Sequence, residues 1–223
     1  MNRRDEVAVA DWMTYAPYLL FDLREPFYPD AVGVTVLDKP GPSPSFYRTF
    51  EFDEPGLSRI IEYAIWWDYE IGHLYELEHV WVYVGRDGRV IGCEASFHGK
   101  VLLGLLKDRS NLADGTHVRL YSQPGKHAFS PLPDLFELLP GLYRAAGEDA
   151  GIDGLIVNDL FRGKFETNDR INGRVRQYLR QFAFTPSLEF KEYRIREEFL
   201  MPWNELYEQI PGRIGARLKE LGI

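Results

Sequence analysis

Val80-Trp81-Val82-Tyr83-Val84-Gly85-Arg86-Asp87-Gly88-Arg89-Val90-Ile91-Gly92-Cys93-Glu94-Ala95 is the stretch on which the fold turns. Valines alternate with aromatics, then Asp87-Gly88 supplies a type I′ hairpin signal, and a second strand returns toward Phe97. With Asp87-Gly88 as the loop, Val84 faces Ile91, Val82 faces Cys93, Val80 faces Ala95 and Glu78 faces Phe97. That face is apolar except for Glu78. The opposite face pairs Tyr83 with Gly92, Trp81 with Glu94, and His79 with Ser96. A carboxylate that ends an apolar stripe needs a metal, an arginine or a proton, because an unpaired buried charge is costly.

Working outward, residues 58–68 carry β-branched and aromatic side chains between Pro55-Gly56 and Gly72, and read as a buried strand. Residues 117–123 alternate as another strand, and residues 188–200 as a third. Residues 12–50 read as extended segments wrapping a core. The run 38–44 is proline-rich and reads as an exposed loop. Residues 131–147 read as short helices interrupted by Pro140. The clearest helix covers 169–183, where Ile171, Val175, Tyr178, Leu179 and Phe182 recur at helical spacing behind a cap at Asn168 or Asp169. Pro202 opens a last helical region through Leu221. The pattern predicts one α+β domain over residues 1–223, mainly β, with an antiparallel, jelly-roll-like β-sandwich core and helices appended late in the chain.

Composition agrees. Of 223 residues, 45% are apolar, 27% are charged and 14% are aromatic, so the chain can bury a core and favours strands. The net charge of −8 disfavours binding to phosphate backbones, so no nucleic-acid partner is expected. A single cysteine, Cys93, allows no internal disulfide. There is no secretory-type leader and no membrane-length apolar run, and a cytoplasmic location is the expectation.

Chemistry concentrates at Gly72-His73-Leu74-Tyr75-Glu76-Leu77-Glu78. Two carboxylates of equal strand parity follow an imidazole, and Gly72 permits the curl that lets His73 reach them. Oxygen-rich sets with one histidine suit Mg, Mn or Ca better than zinc. Asp68 is a further oxygen donor upstream.

The stretch Gly72–Val80 resembles the G-H-R-H-D-W-E heptapeptide of the necrosis- and ethylene-inducing protein family, and more closely its vacuolar-protein-sorting-like relatives. Ala95-Ser96-Phe97-His98-Gly99 and Gly125-Lys126-His127-Ala128 are similar to two later steps of that pattern, in the same order. The resemblance spans about residues 57–130. It implies a β-sandwich with one divalent metal, lined by His73, Glu76 and Glu78, with His127 and Asp68 nearby. Tyr75, Glu76 and Leu77 stand where the motif has His, Asp and Trp.

Three functions follow as alternatives. The metal bridges to a small polar ligand such as a sugar or lipid headgroup. Or it activates water for hydrolysis, with Glu76, Glu78 or His127 as base. Or the cluster is a salt-bridge network closed by Arg119 or Lys126, with no metal. Elsewhere, Cys93 reads as a core thiol, and Trp66-Trp67 and Phe46-Tyr47 read as core packing, with a carbohydrate-stacking platform as the alternative. Arg170, Arg174, Arg176 and Arg180 read as a solvated helix face, with an anionic-ligand patch as the alternative.

Overall fold

The computed structural model describes residues 3–223, with side chains from Val9 onward. In chain order the elements are α1 (Arg3–Tyr15), β1 (Tyr18–Asp22), β2 (Ala31–Leu37), β3 (Gly41–Pro42), β4 (Thr49–Phe50), β5 (Leu57–Tyr69), β6 (His73–Gly85), β7 (Val90–Phe97) and β8 (Lys100–Leu103). There follow β9 (Leu112–Ala113), β10 (His117–Ser122), β11 (Phe129–Ser130), α2 (Asp134–Glu137), α3 (Leu142–Ala146) and β12 (Gly154–Leu155). The chain closes with α4 (Asp169–Leu179), β13 (Phe190–Arg194), β14 (Leu200–Pro202) and α5 (Trp203–Glu220).

Among the described residues these strands build a mainly-β, α+β sandwich. One sheet runs β14-β2-β5-β6-β7-β8, with β12 beside the start of β6. The other runs β11-β10-β1-β13, with β9 beside β10. Most neighbours are antiparallel, while β1–β10, β12–β6 and β14–β2 are parallel. Strand alternation explains the core. Ile61, Tyr63, Ile65 and Trp67 of β5 share a face with Val80, Val82 and Val84 of β6, and meet Leu19, Phe21, Val118 and Leu120 of the second sheet.

The central hairpin forms with the expected register from Val80–Ala95 to Tyr83–Gly92. Its end differs. Gly88 has φ +77° while Asp87 is not in the left-handed region, and Gly85 N donates to Arg89 O. A type I′ turn needs two positive φ values, so this is a three-residue loop with a glycine bulge. The bulge shifts the register by one, and Val84 pairs with Val90 rather than Ile91.

Two further expectations are corrected. Residues 12–15 end α1 instead of running extended. Tertiary bonds hold the helix end on β5: Arg59 pairs with Asp11 at 2.7 Å, and Tyr63 Oη donates to Trp12 O at 2.7 Å. The 38–44 loop is not wholly exposed either. It holds β3 of the β3–β4 ribbon, and its buried Ser43, with Ser45 just beyond, covers a carboxyl group on the outer face of the large sheet. Ser43 Oγ and Ser45 Oγ donate to buried Glu62 at 2.5 and 2.6 Å, and Trp81 Nε1 donates to the same carboxylate at 2.7 Å. His79 Nε2 lies 3.0 Å from Ser45 Oγ, and burial pushes its pKa down to about 3.

The late helices form where their periodicity puts them. Asn168 caps α4 through Ile171 N, and Val175 and Leu179 point into the core. Its three arginines, Arg170, Arg174 and Arg176, and Arg180 at its C-cap are exposed. Helix α5 lies across β2, where Gly33 admits Trp203: a Cβ there would sit 2.7 Å from Trp203 Cε3. Cys93, Trp66 and Trp67 are core residues, and Phe46 is half-buried, but Tyr47 is fully exposed.

Candidate functional site

The β5–β6 turn at Glu70–His73 is built around a carboxylate. Glu70 Oε2 accepts from Gly72 N at 2.6 Å and from His73 N at 3.0 Å. Its other oxygen lies 2.7 Å from Lys126 Nζ. A Cβ at Gly72 would meet that ammonium at 2.7 Å, so a side chain there would push the lysine tip away from the carboxylate. Lys126 arrives on the 123–128 loop, where Gly125 and His127 have φ of +75° and +58°. Gly125 O accepts from Ile71 N at 3.2 Å, which docks the loop onto the turn.

Around this pair lie His73 Nε2, 3.4 Å from Glu70 Oε2 and 3.7 Å from Glu76 Oε2. His73 Nδ1 is buried without a partner. Desolvation raises the Glu70 carboxyl, but His73 and Lys126 outweigh it and hold the group below its ordinary pKa. Desolvation lowers the Lys126 ammonium, yet Glu70, Glu76 and Asp153 keep it above its usual value. Glu78 goes the other way. Burial, then the charges of Glu76 and Glu70, push it well up, and the Ser96 hydroxyl donates to it.

The structure therefore brings His73 and Glu76 together, with Glu78 following on the same face, and adds Glu70 and Lys126. It does not bring Asp68 or His127 to them. In the register of β5 and β6, Glu76 opposes Trp67 and Glu78 opposes Ile65, which puts Asp68 on the other face. There Asp68 accepts from Trp66 Nε1 at 2.8 Å and lies 3.5 Å from both Arg213 and Arg217. His127 is fully buried, stacked flat on Trp67 with centroids 4.5 Å apart, and its Nε2 is 3.3 Å from Glu25 Oε1. Among the described residues no group of three His, Cys, Asp or Glu side chains is arranged to hold a metal ion. Where a cation would sit against Glu70, Lys126 already does. Arg119, the other residue expected to close the cluster, instead meets Glu192 at 2.9 Å.

A second site was not read from the sequence. Pro26-Phe27-Tyr28-Pro29-Asp30, between β1 and β2, forms one wall of a cleft of about 390 Å³; Tyr69, Tyr193, Arg196 and Phe199 complete it. The prolines fix the backbone of that wall. The Tyr28 and Tyr193 rings lie 5.6 Å apart, and Phe27 stacks on Tyr69 at 5.6 Å. Asp30 Oδ2 accepts from Asp68 N at 2.8 Å, and desolvation raises its carboxyl above the ordinary value. Tyr28 Oη is buried with no protein partner. Clustered Pro and Tyr at 26–30 were the available signal, but the partners Tyr69, Tyr193 and Phe199 come from distant strands and turns.

The volume falls in the ~300–1,000 Å³ range of small-molecule sites. Lys191 lies over Tyr28 at 5.3 Å, Arg196 over Phe199 at 4.1 Å and Arg217 over Tyr69 at 6.0 Å. No helix among the described residues is long and apolar enough to cross a membrane. Comparison with protein-family models, curated proteins and solved structures finds no match to the chain, so its likeness to the necrosis- and ethylene-inducing family is carried by the quoted motifs alone.

Proposed function

We propose that this chain is a sugar-binding β-sandwich whose ligand lies in the Tyr28–Tyr69–Tyr193 cleft. One observation carries the reading: five aromatic rings and two charged groups, with an unpartnered buried hydroxyl, line a single cleft of about 390 Å³. A pyranose has an apolar C–H face and a belt of hydroxyls. Aromatic rings take the first, and planar polar groups such as Asp30 and Arg196 take the second. A cationic ligand is disfavoured, because Lys191, Arg196 and Arg217 already lie over three of the rings. The polar ligand expected at the His73 cluster thus moves to the aromatic cleft. The cluster becomes scaffold, with Lys126 set against Glu70 and the Ser96 hydroxyl donating to Glu78.

The test is calorimetric titration of the chain with a panel of neutral mono- and trisaccharides. At least one binds saturably, and Tyr193→Ala weakens it about tenfold, the usual order for truncating a buried aromatic anchor. Tyr28→Phe weakens it less, by the loss of one hydroxyl. Binding by no member of the panel, or binding indifferent to Tyr193→Ala in a variant that melts like wild type, overturns the proposal.

A further inference from the structure

A second cleft lies beyond Tyr69. That ring lies 5.1 Å from Tyr178, and the Tyr69 hydroxyl lies 3.3 Å from Glu220 Oε2. Tyr178 and Glu220 line a second cleft of about 240 Å³, completed by Arg174, Gln177, Gln181 and Leu221 between α4 and the end of α5. Tyr69 thus links the two: its ring walls the first cleft, and its hydroxyl bonds to Glu220, which walls the second.

The second cleft differs in charge. Glu220 is engaged by Arg217 Nη1 at 2.8 Å. Gln177 and Gln181 are neutral. Arg174 makes no ion pair among the described residues, and it is exposed. The cleft therefore offers an uncompensated guanidinium beside two amides and an aromatic ring. A guanidinium's planar fork matches a carboxylate with two parallel N–H···O bonds.

Resting on the sugar-binding reading, we infer that the ligand is an acidic oligosaccharide. One ring stacks in the Tyr28–Tyr193 cleft, and a uronate unit further along the chain places its carboxylate on Arg174. The arrangement selects for a chain of two or more units, because the two clefts are separated by the Tyr69–Tyr178 pair.

The probes are trisaccharides of galacturonate, glucuronate and mannuronate, each compared with its methyl ester, which keeps the rings and removes the charge. At low salt one acid binds about fivefold tighter than its ester, the size of an exposed ion pair. The preference shrinks as salt is raised. Arg174→Gln abolishes the preference and leaves the ester's affinity unchanged, while Tyr193→Ala weakens acid and ester alike. If acid and ester bind equally in wild type, or Arg174→Gln leaves the preference intact, the acidic-sugar inference fails and the sugar-binding reading stands. If neither acids nor esters bind, and the neutral panel also fails, both fall.

Discussion

Lys126 Nζ lies 2.7 Å from Glu70 Oε1, in the position a bound cation would take against a buried carboxylate. Both groups are withdrawn from water, Glu70 completely and Lys126 to 20% of its side-chain surface. Removing one partner strands the other. Lys126→Met is expected to lower unfolding free energy by about 3–5 kcal/mol. Glu70→Gln in the same chain recovers part of the loss, since a neutral amide needs no counter-charge. Urea melts of the two single variants and the double settle this; additive losses would mean the pair is not coupled.

Glu78 and His79 are neighbours in sequence that titrate in opposite senses. Glu78 has a raised pKa in the folded chain, so from about pH 4.5 up to that raised value the folded state holds a proton the unfolded state has lost. Stability from this group falls as pH rises there. His79 has a pKa lowered to about 3, so from there to about 6.5 the unfolded state holds the extra proton, and stability rises with pH. Where the two ranges overlap the slopes oppose each other, each at most about 1.4 kcal/mol per pH unit. Wild type is expected to vary less with pH there than either single variant. Glu78→Gln uncovers a rising limb and His79→Asn a falling one. Chemical denaturation at several pH values reads this, and a steep wild-type profile would contradict it.

Removing divalent metal should leave the melting temperature where it is. A metal held by the folded state alone would add about 3–4 kcal/mol at a hundred- to thousandfold excess over Kd. Melting scans with chelator, and with Mg, Mn, Ca or Zn added, are expected to coincide. A chelator-dependent drop abolished by Glu76→Gln would restore the metal site anticipated from the heptapeptide.

Gly33→Ala tests the joint between α5 and the large sheet. The new methyl would meet Trp203 Cε3 at 2.7 Å and its Cα at 3.1 Å. Backbone on one side and a buried indole on the other leave little room to yield. A loss of about 1–3 kcal/mol is expected. A melt unchanged from wild type would show that α5 shifts freely on β2.

Much of the scaffold was legible, because its signals are local. Val80, Val82 and Val84 alternate against Cys93 and Ala95, and period-two burial alone places them. Ile171, Val175 and Leu179 recur at helical spacing behind Asn168. The bulge at Val84 was not legible, since Asp87-Gly88 serves two turn types and the strands' twist decides between them. At the site, Glu76, Glu78 and His73 were found as neighbours in the chain. Glu70 was passed over, although it precedes the same glycine, because its role depends on a lysine more than fifty residues later. Asp68 and His127 were assigned to the cluster by nearness in sequence and motif order. Strand parity sends Asp68 to the opposite face, and stacking on Trp67 draws His127 inward to Glu25. The aromatic cleft was invisible because no two of its walls share a periodic segment.

The parallel pairing of β14 with β2, and the antiparallel pairing of β13 with β1, bear on how the molecule is made. Strands written near residues 18–37 find their last neighbours only when residues 190–202 have appeared. One edge of β1 and one edge of β2 therefore stay open until those late strands have been synthesised, and an open edge is where a strand of another nascent chain can add.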